Sequence, residues 1–301
     1  MGYPTLRQLM TFLAAVDSGS ITSAAKSLHL TQPAASQQLR DLERALGVRL
    51  LDRAKGRVIP TRAGEAVLAA ARRALSAADD IVAAAAQSRD GETGRLRVGT
   101  GATACIYLLP AILARVKRRM PRLEVTVATG NTSDIVDRLE AGALDIALVT
   151  LPIRTRRALV KTNFAVDPLL ALVPRKLAPA RTAVGAAQLA ALPLILYEAG
   201  GNTRTIVDAW FRRAGVAAKP IMELGSVEAI KVLVESGLGA SILPKLSLER
   251  VARSTVVCPL RPALTRELAH VLRKDKVVDR GLRVLLGELA KAGTQTKTGA
   301  P

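Results

Sequence analysis

Gly19-Ser20-Ile21-Thr22-Ser23-Ala24-Ala25-Lys26-Ser27-Leu28-His29-Leu30-Thr31-Gln32-Pro33-Ala34-Ala35-Ser36-Gln37-Gln38-Leu39-Arg40-Asp41-Leu42-Glu43 is the stretch on which the fold turns. Before it, Leu6, Leu9, Phe12, Leu13 and Val16 recur at helical spacing, so residues 5–17 are expected to form an amphipathic helix. Gly19 breaks that helix. Ser20 can cap a second one, Ile21 to Leu28, whose Ala24 and Ala25 are small enough for another helix to pack closely. A short turn at His29-Leu30 follows. Thr31 can cap a third helix, with Pro33 in the first turn, where a missing N–H is harmless. It runs to about Leu46 and stops at Gly47. Two short helices joined by a tight turn, the second longer, make a helix-turn-helix pattern.

The third helix has the chemistry to enter a DNA major groove. Gln32, Ser36, Gln37 and Arg40 occupy its first turns, and Gln can read adenine, Arg guanine, and Ser bases or phosphate. Leu50 to Thr61 then places two short apolar stretches around a Lys55-Gly56 turn, a β-hairpin wing from which Arg53, Lys55 and Arg57 can reach phosphates or the minor groove. The competing reading is an ordinary small helical domain with a solvated basic loop. Twelve of the 28 residues from Thr61 to Ser88 are alanine, which favours helix. Leu68, Ala71, Leu75, Ala78, Val82 and Ala85 are spaced as a heptad seam. The seam can pack on its own domain or pair with a second chain. The polar outer side, Arg72, Arg73, Asp79 and Asp80, and the position between two domains favour pairing.

The segment quoted above, with Leu46-Gly47, Leu50-Leu51-Asp52-Arg53 and Thr61-Arg62-Ala63-Gly64, resembles the LysR-type transcriptional regulators in order and spacing. The resemblance departs at Gln37, where many members carry Arg, which bears on base preference. It implies a regulator of promoter DNA with Ser20, Thr31, Gln32, Pro33, Ser36, Gln37, Arg40, Arg53, Lys55 and Arg57 at the DNA. It also implies a dimer of dimers that bends the promoter, and a small inducer that changes the bend and hence RNA polymerase recruitment.

Composition agrees only in part. The net charge of +19 favours polyanionic partners, yet residues 1–90 hold 12 Lys/Arg and 8 Asp/Glu, leaving +15 to the rest. Charge alone therefore does not locate a DNA site. A nucleoid-type binder without a ligand, its basic C-terminal half supplying affinity, is one alternative. An enzyme is another, with Cys105 near a helix start, where a thiolate is favoured. Against it stand only two histidines, no Gly-x-Ser-x-Gly element and no metal-ligand cluster, so no catalytic residue, metal or cofactor is expected. Two cysteines give no disulfide framework, no apolar run reaches a membrane span, and the N-terminus lacks a signal-peptide layout, so a cytoplasmic protein is the expectation.

Beyond a hinge at 91–94, strands alternate with helices: strand 96–100, helix 104–120, strand 123–129, helix 132–141 and strand 144–149. A second unit adds strands 169–173, 192–197, 220–224 and 240–243, with helices 203–214 and 227–236. Strand 267–272 and helix 279–290 return to the first unit. The expectation is α/β overall: a winged helix-turn-helix at 1–60, a linker helix at 61–90, and a two-lobed periplasmic-binding-protein-like sensor of type 2. Its first lobe is 91–165 plus 266–291, its second 166–265, and 292–301 is a loose tail. Ligands in open α/β sheets bind beyond the carboxyl ends of strands. Those ends supply Thr100, Gly101, Ala102, Thr103, Thr129, Asn131, Thr132, Thr150, Gly201, Asn202, Thr203, Val227 and Glu228, each Thr or Asn being equally a plain helix cap. The N–H groups of the helix starting near Thr103 favour an anion, commonly a carboxylate. No strong fixed charge is expected there beyond Glu228 and Arg204.

Overall fold

The computed structural model describes residues 2–54, 56–87, 94–178 and 183–298. Lys55 and the hinge residues 91–93 lie outside them, as do the side chains of Arg53 and Ala85. The chain divides into two compact units, Met1–Gly91 with Arg138–Leu144, and Glu92–Asp137 with Asp145–Pro301.

The first unit holds α1 (Leu6–Ser18), α2 (Ile21–Ser27), α3 (Gln32–Leu46), the hairpin β1 (Leu51–Ala54) and β2 (Arg57–Pro60), and α4 (Arg62–Gln87). Side-chain oxygens of Thr5, Ser20 and Thr31 accept first-turn amides and start the three short helices. Gly19 and Gly47 end α1 and α3 in the left-handed region. Between α2 and α3 that position falls to His29, at φ 53°. Its amide donates to the Lys26 carbonyl and that of Leu30 to the Ala25 carbonyl, a Schellman cap built without glycine. Phe12, Ala24, Leu39, Leu42 and Leu50 form the core.

That core also takes Ala71, with Val67, Leu68, Ala74 and Leu75 packed against it. The first half of the heptad seam is thus engaged inside its own domain, because α4 must cover the apolar face of α1. An ion pair from Arg72 to Asp17 (2.6 Å) ties the same two helices. Farther along, Ala78 is half-buried and Val82 is 69% exposed beside Ile81 at 71%.

The second unit has β3 (Gly94–Thr100), α5 (Ala102–Tyr107), α6 (Leu109–Arg119), β4 (Leu123–Thr129), most of α7 (Thr132–Glu140, counted with the first unit from Arg138), β5 (Ile146–Thr150) and the long β6 (Leu159–Pro174). After these come β7 (Val184–Gly185), α8 (Ala186–Ala190), β8 (Leu194–Tyr197), α9 (Asn202–Arg213), β9 (Pro220–Leu224), α10 (Val227–Glu235), β10 (Ser241–Pro244), the long β11 (Thr255–Arg273) and α11 (Arg280–Thr298). The sheet runs β10-β6-β11-β5-β3-β4, with β7 beside β11, while β8 and β9 pair in parallel. Along β6, Leu169, Ala171 and Val173 enter one core with Trp210 and Phe211, whereas Leu172 enters another with Ile195, Ile230 and Leu243. This is the two-sided burial of a strand between helical layers.

Four expectations change. The helix read as 104–120 is two helices meeting at Leu108, because Pro110 has no N–H for the Ile106 carbonyl and its ring crowds that turn. The strands read as 169–173 and 267–272 are the ends of β6 and β11, which pair antiparallel along most of their length. The lobe limits expected at 165 and 266 fall inside these two strands, where Ala165 opposes Leu268 and Asp167 opposes Arg266. The tail expected to be loose from 292 continues α11 to Thr298.

Candidate nucleic-acid interface and ligand cleft

The amphipathic pattern of α3 buries Ala35, Leu39 and Leu42 and leaves Gln32, Pro33, Gln37 and Arg40 exposed, with Ser36 half-buried. Gln38 faces inward and accepts from the Thr11 hydroxyl (2.5 Å), locking α3 to α1. The outward groups are held in a polar ladder. Gln32 Nε2 donates to Ser36 Oγ (3.3 Å), Arg40 donates to Gln37 Oε1 (2.6 Å), and Gln37 Nε2 donates to Asp41 (2.9 Å). Ser20 and Thr31 cap helices through the amides of Ser23 and Ala34 (both 3.3 Å), so their acceptor capacity is partly spent on the fold.

The wing is fixed by residues far from its tip. Glu43 Oε1 accepts from the amides of Leu50 (2.7 Å) and Leu51 (3.2 Å), which sets the turn into β1. Thr61 donates to the Arg49 carbonyl (2.7 Å) and accepts from the Gly64 amide (3.0 Å), which starts α4. A Cβ on Gly64 would sit 2.1 Å from the Leu50 carbonyl oxygen, so only glycine fits there. Val58 N donates to Gly19 O (2.9 Å), and the Arg57 guanidinium lies against Gly19. Arg57 therefore leaves the wing beside the α1–α2 turn.

In the second unit a cavity of about 340 Å³ opens between the lobes. Gly101, Ala102, Thr103, Thr129, Asn131, Thr132, Thr150, Gly201, Asn202, Thr203 and Val227 line it. Thr100 does not. It is buried at the end of β3, where its carbonyl accepts from Gly130 N (3.1 Å). Glu228 is also displaced from the wall. Successive helix residues point about 100° apart, so with Val227 on the cavity Glu228 turns away and pairs with Lys231 (3.5 Å). Asn202, at the start of α9, bridges the lobes through Nδ2 to the carbonyls of Thr150 (2.6 Å) and Pro152 (2.7 Å).

Sequence reasoning missed Phe164, Tyr197, Glu198, Gly225, Arg266 and Leu268 on this wall. Tyr197 ends β8 and Glu198 follows it, so both were within reach of the strand-end rule. Arg266 was not, since it lies inside a strand interrupted by Pro259 and Pro262. Burial raises the Asp167 carboxyl above its usual range, although Arg266 beside it pulls the other way. Burial also pushes the Tyr197 hydroxyl up to about 12, with Arg266 and Thr103 opposing, and that oxygen has no hydrogen-bond partner among the described residues. The tyrosine is neutral at physiological pH and keeps a proton to donate. The His270 ring is held below its ordinary range by burial and stacks on Phe164 (centroids 6.3 Å apart).

Among the described residues no helix is long and apolar enough to cross a membrane. Residues 6–65 match the family model "Bacterial regulatory helix-turn-helix protein, lysR family", and residues 89–294 match "LysR substrate binding domain". The chain is 34% identical to the uncharacterized HTH-type transcriptional regulator YeiE of Escherichia coli K12 over 286 residues, covering 94% of this chain and 96% of that one. Among solved structures, a full-length single-residue variant of OxyR from Pseudomonas aeruginosa superposes with a TM-score of 0.79 at 26% identity, covering 96% of this chain and 95% of the other. Full-length CbnR complexed with its target DNA does so with a TM-score of 0.69 at 25% identity, covering 96% and 99%. A helix-turn-helix with its outward polar face, joined to a two-lobed α/β domain with a cleft, places this chain in the LysR family of DNA-binding transcriptional regulators.

Proposed function

We propose that α3 reads bases in the major groove through Gln32, Ser36, Gln37 and Arg40 while the wing holds phosphates, and that a small molecule in the cleft changes how the promoter is bent. The observation that carries the DNA half is the exposed polar face at the start of α3, set on a buried Ala35-Leu39-Leu42 seam. Replacing Gln32 or Ser36 with Ala should relax sequence preference among duplexes selected from a random pool. Arg57→Ala should weaken binding to every duplex and lower the salt slope by about 1. Equal losses on all sequences from all three changes would contradict that division of labour.

The sensing half rests on the lined cavity. Selective binding to the native state raises apparent stability, so thermal-shift screening of the full chain against small metabolites of every charge class should find a stabiliser, and that compound should alter the DNA bend. A screen in which no class stabilises the protein would sink the sensing reading. Pairing of two chains is supported by the exposed Ile81 and Val82 on the far half of α4, which a second copy would cover, and two such pairs would make the dimer of dimers. In this reading the regulator works in the cytoplasm, where promoter DNA and RNA polymerase are, and the bend governs polymerase recruitment.

A further inference from the structure

Ionised groups on the cleft wall narrow the ligand class. Two guanidiniums line the cavity, and both are already answered. Arg266 gives Nε and Nη2 to Asp167 (3.0 and 2.8 Å) and Nη1 to Thr203 (3.2 Å). Arg204 gives Nε to Asp208 (2.8 Å) and Nη1 to Glu223 (2.8 Å). The remaining charged side chain on the wall is Glu198, exposed and without a hydrogen-bond or ion-pair partner among the described residues. In a chain of net charge +19, the cleft thus presents an unanswered negative charge. A dianionic ligand would find no unpaired cation there among the described residues and would face Glu198.

Beside Glu198 the same wall offers neutral donors suited to one carboxylate. The N-cap of α9 is Gly201, which has no side chain to satisfy the first-turn amides. Uncapped helix N–H groups favour an anion. Tyr197 is on the same wall but keeps its hydroxyl enclosed beside Thr103, so the amides are the donors a ligand can reach. Glu198 and Gly201 are three residues apart, so chain geometry keeps them within about 10 Å. Both contacts thus come from one short stretch of the wall, where a ligand with its opposite charges close together can use them.

We propose that the cleft takes a zwitterionic α-amino acid, with its carboxylate on the first-turn amides of α9 and its α-ammonium on Glu198. This assignment rests on the cleft being the sensor pocket, and it replaces the simple anion expected from sequence. The test is calorimetric titration of the full chain with the proteinogenic L-amino acids, the corresponding des-amino carboxylic acids, and succinate. At least one amino acid should bind, with its des-amino counterpart about tenfold weaker or more, a difference of about 1.4 kcal/mol. Glu198→Gln should remove that preference without weakening the des-amino acid. Equal binding of an amino acid and its des-amino partner, or no effect of Glu198→Gln on their ratio, would overturn the assignment. So would binding of succinate or another metabolite with silence from every amino acid, an outcome that leaves the sensing reading standing. Silence from every charge class removes both.

Discussion

Arg266 and Asp167 face each other across β11 and β6, and both Nε and Nη2 of the guanidinium donate to the single oxygen Oδ2 of the carboxylate at 3.0 and 2.8 Å. The two side chains are 4% and 1% exposed. The other carboxylate oxygen accepts from Leu246 N (3.2 Å), so the pair is tied to the lobe that carries β10 as well as to the crossing strands. A charged pair this buried owes its existence to good geometry, because each ion gave up its water to form it.

Arg266→Met should destabilise the protein by about 3 kcal/mol at neutral pH, since it strands a buried carboxylate. An acid whose folded pKa is raised gains a proton more readily folded than unfolded, so protonation of Asp167 relieves the loss. The gap between variant and parent should therefore narrow as pH falls from 8 to 5, and the double variant Arg266→Met, Asp167→Leu should lose less than Arg266→Met alone. Chemical denaturation at the two pH values checks both, and an equal gap at each would contradict them.

Asp145 should behave in the opposite way. Burial alone would raise its carboxyl, but Arg97 and Lys276 (each 3.0 Å away) outweigh it and hold the group below the usual carboxylate range. Its contribution is fully present above the unfolded carboxylate range, near pH 4, and is lost as pH falls through the lower folded value. Asp145→Asn should cost about 3 kcal/mol at pH 7, and the cost should persist to pH 5 before shrinking. A loss that already fades between pH 7 and 5 would show the sign to be wrong.

Gly64→Ala tests the joint between wing and linker helix. With the added Cβ 2.1 Å from the Leu50 carbonyl oxygen, the backbone must shift, at a cost of about 2–3 kcal/mol for overpacking. DNA affinity should fall at least tenfold in gel-shift titrations, while ligand-induced thermal shifts persist. Unchanged affinity would mean that the wing does not contribute.

His29→Gly should do the reverse and stabilise the helix-turn-helix by about 0.5–1 kcal/mol. The left-handed conformation costs a side-chain-bearing residue about 1–2 kcal/mol, part of which is offset by the extra unfolded-state freedom of glycine. The gain should be visible as a higher thermal midpoint of the N-terminal unit. A lower midpoint would show that the imidazole makes a compensating contact.

The N-terminal unit was legible because its signals are local. Thr5, Ser20 and Thr31 satisfy amides three residues on, Gly19 and Gly47 stop helices where they stand, and the α3 pattern closes over a few turns. Pro110 was readable too, and the undivided helix 104–120 overlooked what a missing amide does inside a helix. The heptad seam was ambiguous for a different reason. An apolar stripe specifies that something covers it, and only packing showed that Ala71, with Leu68 and Leu75, is covered by its own domain.

Sequence by itself thus determined the helix-turn-helix, the hairpin, the alternation of strands and helices, and the strand-end loops that meet in the cleft. Tertiary structure decided which charges the cleft presents. Arg266 and Asp167 lie 99 residues apart, and they meet through the register of two long strands. Tyr197 ends β8, Glu198 follows it, and both join the wall only when the lobes are folded together. Local hydrogen bonding leaves its mark on neighbouring residues, whereas strand register and the pairing of buried charges depend on segments that no short window of sequence contains.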